Sequence, residues 1–211
     1  AMAMDAAGTL HVVWRDVTDG QLYYRRRNPA GTWSAIDALS LAAAGKFVDK
    51  PNIIVAPNGS VHIVAWNATD VHVYWAYSTD GSATWTVNPS TITGGASSMP
   101  KLGIDADSFN HLHLVFIRST NKGGYVKATF TAPGTWVWGA VDTASLNDAT
   151  MLTQGNCEVV VQPDDDVIAV WEALFSGTTG IRLRWARRPS GTPVASMRYH
   201  LGCTVSFLAR N

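Results

Sequence analysis

The chain has 211 residues, 46% of them apolar and 15% charged, and its 16 basic and 16 acidic residues balance to a formal net charge of zero. That is enough apolar material for one well-buried domain and too much for a disordered segment. Neutrality removes the basic surplus that holds phosphate backbones, so nucleic acid is not an expected partner, and no run approaches the roughly 18 apolar residues of a spanning helix.

The N-terminal stretch AMAMDAAG has no charged region followed by an apolar one, so a signal peptide is not expected within it. It leads into LHVVW from Leu10, and the same apolar signature returns as VHIVAW from Val61, LHLVFI from Leu112 and VIAVW from Val167. A tripeptide follows each: GTW ending at Trp33, ATW at Trp85, GTW at Trp136 and GTP at Pro193. The unit is about 51 residues long, the spacing of architectures in which each unit buries its apolar face on its neighbours.

In chain order, the first unit shows strands at 9–15, 21–27 and 32–36. Only AMAMD stands before its opening turn, Ala6-Ala7-Gly8. In the second unit, Asn52 to Ala56 is followed by the turn Pro57-Asn58-Gly59, then by Val61 to Trp66, Val71 to Ser78 and a last strand beginning at Trp85. The third unit repeats this at 101–105, 111–117, 124–130 and 135–139, and the fourth at 157–162, 167–173, 181–187 and 192–196. Four antiparallel strands, named a to d from the ring axis outward, make one blade. The expected fold is an all-β β-propeller forming a single domain over 1–211. Its blades fall at about 1–39, 50–91, 100–140 and 156–196, and residues 197–211 add an extra inner strand near 203–209. Two closures fit. The C-terminal strand completes the first blade, or AMAMD is already a truncated a strand and the ring closes with another copy or with further sequence. Moving Ala56 back one period lands on Asp5 and aligns Gly59 with Gly8, which favours the second.

Ser78-Thr79-Asp80-Gly81-Ser82-Ala83-Thr84-Trp85 resembles the Asp-box, S-x-D-x-G-x-T-W, of sialidase-like propellers, with Ser82 where the box has glycine and Gly81 one place early. The resemblance implies a structural staple made by Ser78, Asp80, Gly81, Thr84 and Trp85, not a catalytic group. The other units keep remnants: Asn28 replaces the Asp, Thr131 to Trp136 holds no acid, and Arg188 to Pro193 lacks the Trp. The family contains sialidases, other glycosidases, lectins and non-catalytic receptor domains, so the likeness does not select an activity. A sialidase site also implies an arginine motif, R-I-P, that this chain lacks.

The d-to-a and b-to-c connections of such blades emerge on one face, and there the d-to-a links are long and rich in small polar residues. Long loops on a rigid scaffold are where binding groups gather. This places Asp16, Asn67, Asp70, Arg118, Asn121, Asn156, Glu158, Trp171 and Glu172 on that face. Carboxylates, amides and guanidinium groups beside Trp suit a sugar, whose hydroxyls take polar partners and whose C–H faces stack on aromatics. Glu172 stands out because it interrupts an apolar strand, and it is the acid if the chain is an enzyme. The expectation is a glycan-binding, non-catalytic propeller of extracellular or periplasmic location, with no cofactor or metal. The alternatives are a glycoside hydrolase using Glu172 with Glu158 or Asp70, and a protein-interaction scaffold.

His11, His62 and His113 recur at the repeat spacing and read as repetition rather than as ligands of one ion, because equivalent positions on separate blades stand too far apart. Asp105-Ala106-Asp107 and Asp164-Asp165-Asp166 read as a-to-b turns. Cys157 and Cys203 occupy matching places in two expected inner strands, where either a disulfide or two buried thiols fits.

Overall fold

The computed structural model describes residues 1–39, 48–67, 69, 72–88, 92, 102–117, 123–142, 151–175, 182–190 and 198–200. These form four four-stranded antiparallel sheets, each a blade with its strands in sequential order. Blade 1 holds β1 (Met2–Met4), β2 (Leu10–Arg15), β3 (Leu22–Arg27) and β4 (Asp37–Leu39), and blade 2 holds β5 (Val48–Val55), β6 (Val61–Asn67), β7 (His72–Ser78) and β8 (Thr86–Asn88). Blade 3 holds β9 (Gly103–Ala106), β10 (Leu112–Ile117), β11 (Gly123–Ala132) and β12 (Thr135–Trp138), and blade 4 holds β13 (Met151–Val161), β14 (Val167–Phe175), β15 (Arg182–Arg188) and β16 (Arg198–His200).

AMAMD is the first a strand: Met2, Ala3 and Met4 pair with Val12, His11 and Leu10. The outer strand that the sequence places at 192–196 lies outside the described residues. Arg198–His200, assigned from the sequence to an extra inner strand, pairs along β15 instead, with Trp185 opposite His200. The expected strand at 203–209, and Cys203 with it, lies outside the described residues.

Alternating side chains send one set of each blade toward the preceding blade and the other toward the next. The pairs Ile53 with Ile63, Ile104 with Leu114 and Val159 with Ala169 hold equivalent register and face backward. Each joins a buried cluster: Ile53 and Ile63 with Val13, Leu22 and Tyr24 of blade 1, Ile104 and Leu114 with Val64 and Trp75 of blade 2, Val159 and Ala169 with Val115 and Tyr125 of blade 3. In blade 1 the same register belongs to Met2 and Val12, and Met2 is 72% exposed. Val160, the forward-facing residue of β13, is 51% exposed.

The a-to-b turns are one motif written four times. In each, two backbone bonds close a five-residue loop, as from Asp5 N to Thr9 O and from Asp107 N to His111 O. The fourth residue is left-handed: Gly8 and Gly59 at φ +82°, Asn110 at +65° and Asp165 at +64°. Asn and Asp tolerate this region because a short polar side chain can bond locally. Here those side chains join blades. Asn110 Oδ1 accepts Asn58 N at 2.8 Å, and Asp165 accepts Ser108 N at 2.7 Å and Ser108 Oγ at 2.6 Å.

In the turn before β8, Asp80 Oδ1 accepts Ala83 N and Thr84 N, both at 3.0 Å, and Ser78 Oγ at 2.7 Å, while Oδ2 accepts Thr84 Oγ1 at 2.6 Å. The hydrogen bonds from Thr84 and then Ser78 hold its carboxyl well below the usual carboxylate range. Gly81 and Ser82 are both left-handed, at φ +67° and +64°, so the turn has two adjacent positions that favour glycine. Trp85 then meets Tyr24 of blade 1 edge-on at 4.8 Å.

Candidate functional site

The inner strands of all four blades approach a shared axis. Their starts enclose a cavity of about 480 Å³ lined by Ala1, Lys50, Pro51, Asn52, Leu102, Asn156 and Glu158. It opens on the face of the d-to-a connections.

Close packing of inner strands sets its walls. Gly103 has no side chain because β13 lies against it: a Cβ there would stand 2.6 Å from Val159 N and 2.7 Å from Glu158 Cα. On the other flank of blade 3, Asn52 Nδ2 donates to Leu102 O at 2.8 Å. Asp105, half-buried, accepts Val161 N at 2.7 Å, and burial pushes its carboxyl up despite that bond. These contacts tie three successive a strands together, and Glu158 is exposed at the cavity edge.

Lys50 reaches the cavity through a bulge. The register of β5 on β6 shifts between Asp49 and Asn52, and Lys50 sits at φ +52°. A non-glycine residue in that region is uncommon and costs energy that the surrounding structure must offset. Asp49 supplies part of the offset by accepting Lys50 N at 2.8 Å, and it also faces Arg15 Nη1 of blade 1 at 3.7 Å. Nothing in the repeat pattern marked Lys50 or Asn52. The usable signal was Pro51, which removes a ladder donor from a strand and so favours a bulge.

The sequence-derived site residues separate into three groups. Asn156 and Glu158 line the cavity, and Glu172 stands beside them, its Oε2 accepting Asn156 N at 3.2 Å and Asn156 Nδ2 at 3.1 Å. Asp16, Asn67 and Trp171 belong to the framework. Asp16 Oδ1 accepts Thr18 N at 2.7 Å in the b-to-c turn, and Asn67, fully buried, accepts Thr69 N at 2.8 Å. Trp171 is 3% exposed inside the core between blades 3 and 4. Asp70, Arg118 and Asn121 lie outside the described residues. Cys157 is buried in the same core as Trp171. Among the described residues, no cluster of His, Cys, Asp and Glu has the geometry of a metal site.

The fold is shared with a sialidase, an arabinanase and a third solved protein. The NanB sialidase of Streptococcus pneumoniae matches 83% of this chain at a TM-score of 0.59 and 14% identity. An α-L-arabinanase of Penicillium chrysogenum, solved with arabinobiose, matches 94% at 0.64 and 18% identity. The AofleA protein of Arthrobotrys oligospora matches 97% at 0.67 and 14% identity. This is a sialidase-like propeller fold. The chain spans 27%, 65% and 56% of those three structures' own lengths. No protein-family model matches the sequence, and no curated protein matches it.

Proposed function

We propose that this chain binds a carbohydrate in the axial cavity without cleaving it. The observation that carries this reading is the convergence of Lys50, Asn156 and Glu158, from two blades, on one cavity of about 480 Å³. That is the size of a small-ligand pocket, and an ammonium, an amide and a carboxylate supply both donors and acceptors for sugar hydroxyls. The sialidases and the arabinanase that share the fold act on sugars, which supports a carbohydrate as the ligand class.

Hydrolysis by two carboxyl groups needs one on each side of the scissile bond. Among the described lining residues Glu158 is the one carboxylate, and Glu172 is engaged by two N–H groups of Asn156. The test is binding of the chain to a broad glycan array, repeated with Glu158→Gln. Binding weakened by the substitution supports the reading, and a blank array overturns it.

The competing reading is a glycoside hydrolase using Glu172 with Glu158. Its support is the enzymatic character of the neighbours. Turnover of an array-positive glycan that Glu172→Gln abolishes would decide for it. An extracellular or periplasmic location, and completion of the ring by a second copy of the chain, belong to the proposal.

A further inference from the structure

On the a-to-b face, the slot between successive blades is filled by a tryptophan of the later blade in two cases. Trp85 meets Tyr24 between blades 1 and 2, and Trp136 meets His62 at 4.6 Å and Tyr77 at 5.1 Å between blades 2 and 3. In blade 4 the corresponding tripeptide is Gly191-Thr192-Pro193, so the sequence withholds the indole. Between blades 3 and 4 the structure holds a cavity of about 290 Å³, with Phe109, His111, Lys127, Asp165, Arg188 and Ser190 in its walls.

A repeat that only loses a large side chain is expected to refill with apolar atoms, because packing at interior density is favourable. This slot carries cations instead. Lys127 and Arg188 hold the strand positions beside the opening, and Arg188 Nη1 donates to Tyr125 Oη at 2.9 Å with Arg188 only 8% exposed.

The carboxylates nearby are occupied by the framework. Asp107 Oδ1 accepts Phe109 N at 3.0 Å and His111 N at 2.8 Å, and its Oδ2 faces His113 Nε2 at 3.2 Å and Lys127 Nζ at 3.5 Å. Both oxygens of Asp165 accept from Ser108. Donors remain. The Lys127 ammonium has three N–H groups and directs one at Asp107. His111 Nδ1 accepts Phe130 N at 2.9 Å, which places the proton of the neutral ring on Nε2. At the rim Phe109 is 65% exposed and stacks on His111, with ring centres 6.1 Å apart.

We propose that this slot is a second ligand site, taking a compact anionic ring: a carboxylate or sulfate group against Lys127 and His111, with the ring's apolar face on Phe109. It lies on the face opposite the axial cavity and does not depend on the reading given to that cavity.

The test is a titration of the isotope-labelled 211-residue chain with D-glucuronate and, separately, with D-glucose, followed by amide NMR. Glucuronate is expected to shift the amides of Phe109, His111 and Lys127 saturably, with glucose weaker by about tenfold, the weight of one charge-assisted hydrogen bond. Lys127→Met and Phe109→Ala should each weaken glucuronate several-fold while leaving the rest of the spectrum in place, and inorganic sulfate should compete. No shift at these three amides overturns the proposal. Equal binding of glucose and glucuronate, or affinity untouched by both substitutions, does so too. Shifts confined to Asn156 and Glu158 overturn it while leaving the axial site standing.

Discussion

The indole Nε1 of Trp75 donates to Nδ1 of His62 at 3.3 Å. The imidazole proton therefore sits on Nε2, which faces Ser60 Oγ at 2.8 Å, and Ser60 Oγ donates onward to Asn58 Oδ1 at 2.6 Å. The same bolt occurs in two other blades: Tyr24, His11 and Asp5 in blade 1, and Tyr125, His113 and Asp107 in blade 3, with 2.7 Å from each tyrosine Oη to the histidine Nδ1. Each joins strand c to the a-to-b turn through a buried ring on strand b. Blade 4 has Ile168 at the equivalent register, so the bolt belongs to three of the four blades.

Acid is expected to loosen the protein through these rings. Burial lowers the His62 pKa to about 3, and burial also lowers His11 and His113 against the pull of their aspartates. An unfolded histidine titrates near 6.5, so the stability tied to the neutral rings is fully present above that pH. It is lost as pH falls toward 3, because the unfolded chain takes up protons that the folded chain refuses. His62 alone should make the protein less stable by about 2–3 kcal/mol at pH 4.5 than at pH 7. Urea unfolding at the two values measures this. With His62→Phe the drop should shrink, and an unchanged drop would assign the acid sensitivity elsewhere.

Gly103→Ala should destabilise the fold by about 1–3 kcal/mol, the usual cost of overpacking. The added methyl meets backbone of β13, which cannot swing aside as a side chain would. Gly59→Asn is the contrasting case, because Asn110 already holds the equivalent left-handed position and nothing lies within 4 Å of a Cβ at Gly59. That variant should melt within a few degrees of the parent, and calorimetry on both distinguishes crowding from mere loss of glycine.

Asp80→Ala should lower the melting temperature and expose Trp85, seen as a red shift of indole emission, because four backbone or hydroxyl donors lose their acceptor. Asp80→Asn should lose less. Asn28, at the equivalent place in blade 1, already accepts Thr32 N at 2.8 Å. If Ala and Asn behave alike, the box is not held by its hydrogen bonds.

The blade pattern was legible because burial imposes it: VHIVAW and LHLVFI become strands buried on both faces, β6 and β10, and the alternation of LHVVW becomes the half-open β2. The turn from Ser78 to Trp85 was legible because its bonds are local. The axial site was legible only in part. Asn156, Glu158 and Glu172 sit where strand order puts them, but Asn67 is buried on a b strand between two blades and Trp171 because it faces blade 3. Lys50 depends on a bulge, and the cationic slot on a contact between residues 107–111 and 188–190, separations that no periodicity encodes.

The blade register leads to the last prediction, the state of association. Met2, Met4 and Val12 stand where later blades place Ile53, Val55 and Ile63, all packed in one inter-blade core, yet Met2 and Met4 are 72% and 66% exposed. Trp33 stands where Trp85 and Trp136 pack on a preceding blade, and it is 41% exposed with Arg25 over its ring at 5.2 Å. At the other end, blade 4 turns Glu158, Val160 and Glu172 forward. One face is apolar with arginine and the other apolar with two glutamates and an Arg187 already paired with Asp166, which matches the first end of one copy to the last end of another. Light scattering across a concentration series should show self-association, reduced by Met2→Asp combined with Trp33→Asp, since both side chains are exposed and their loss leaves the cores intact. A monomer at every concentration would remove the second copy from the proposed site.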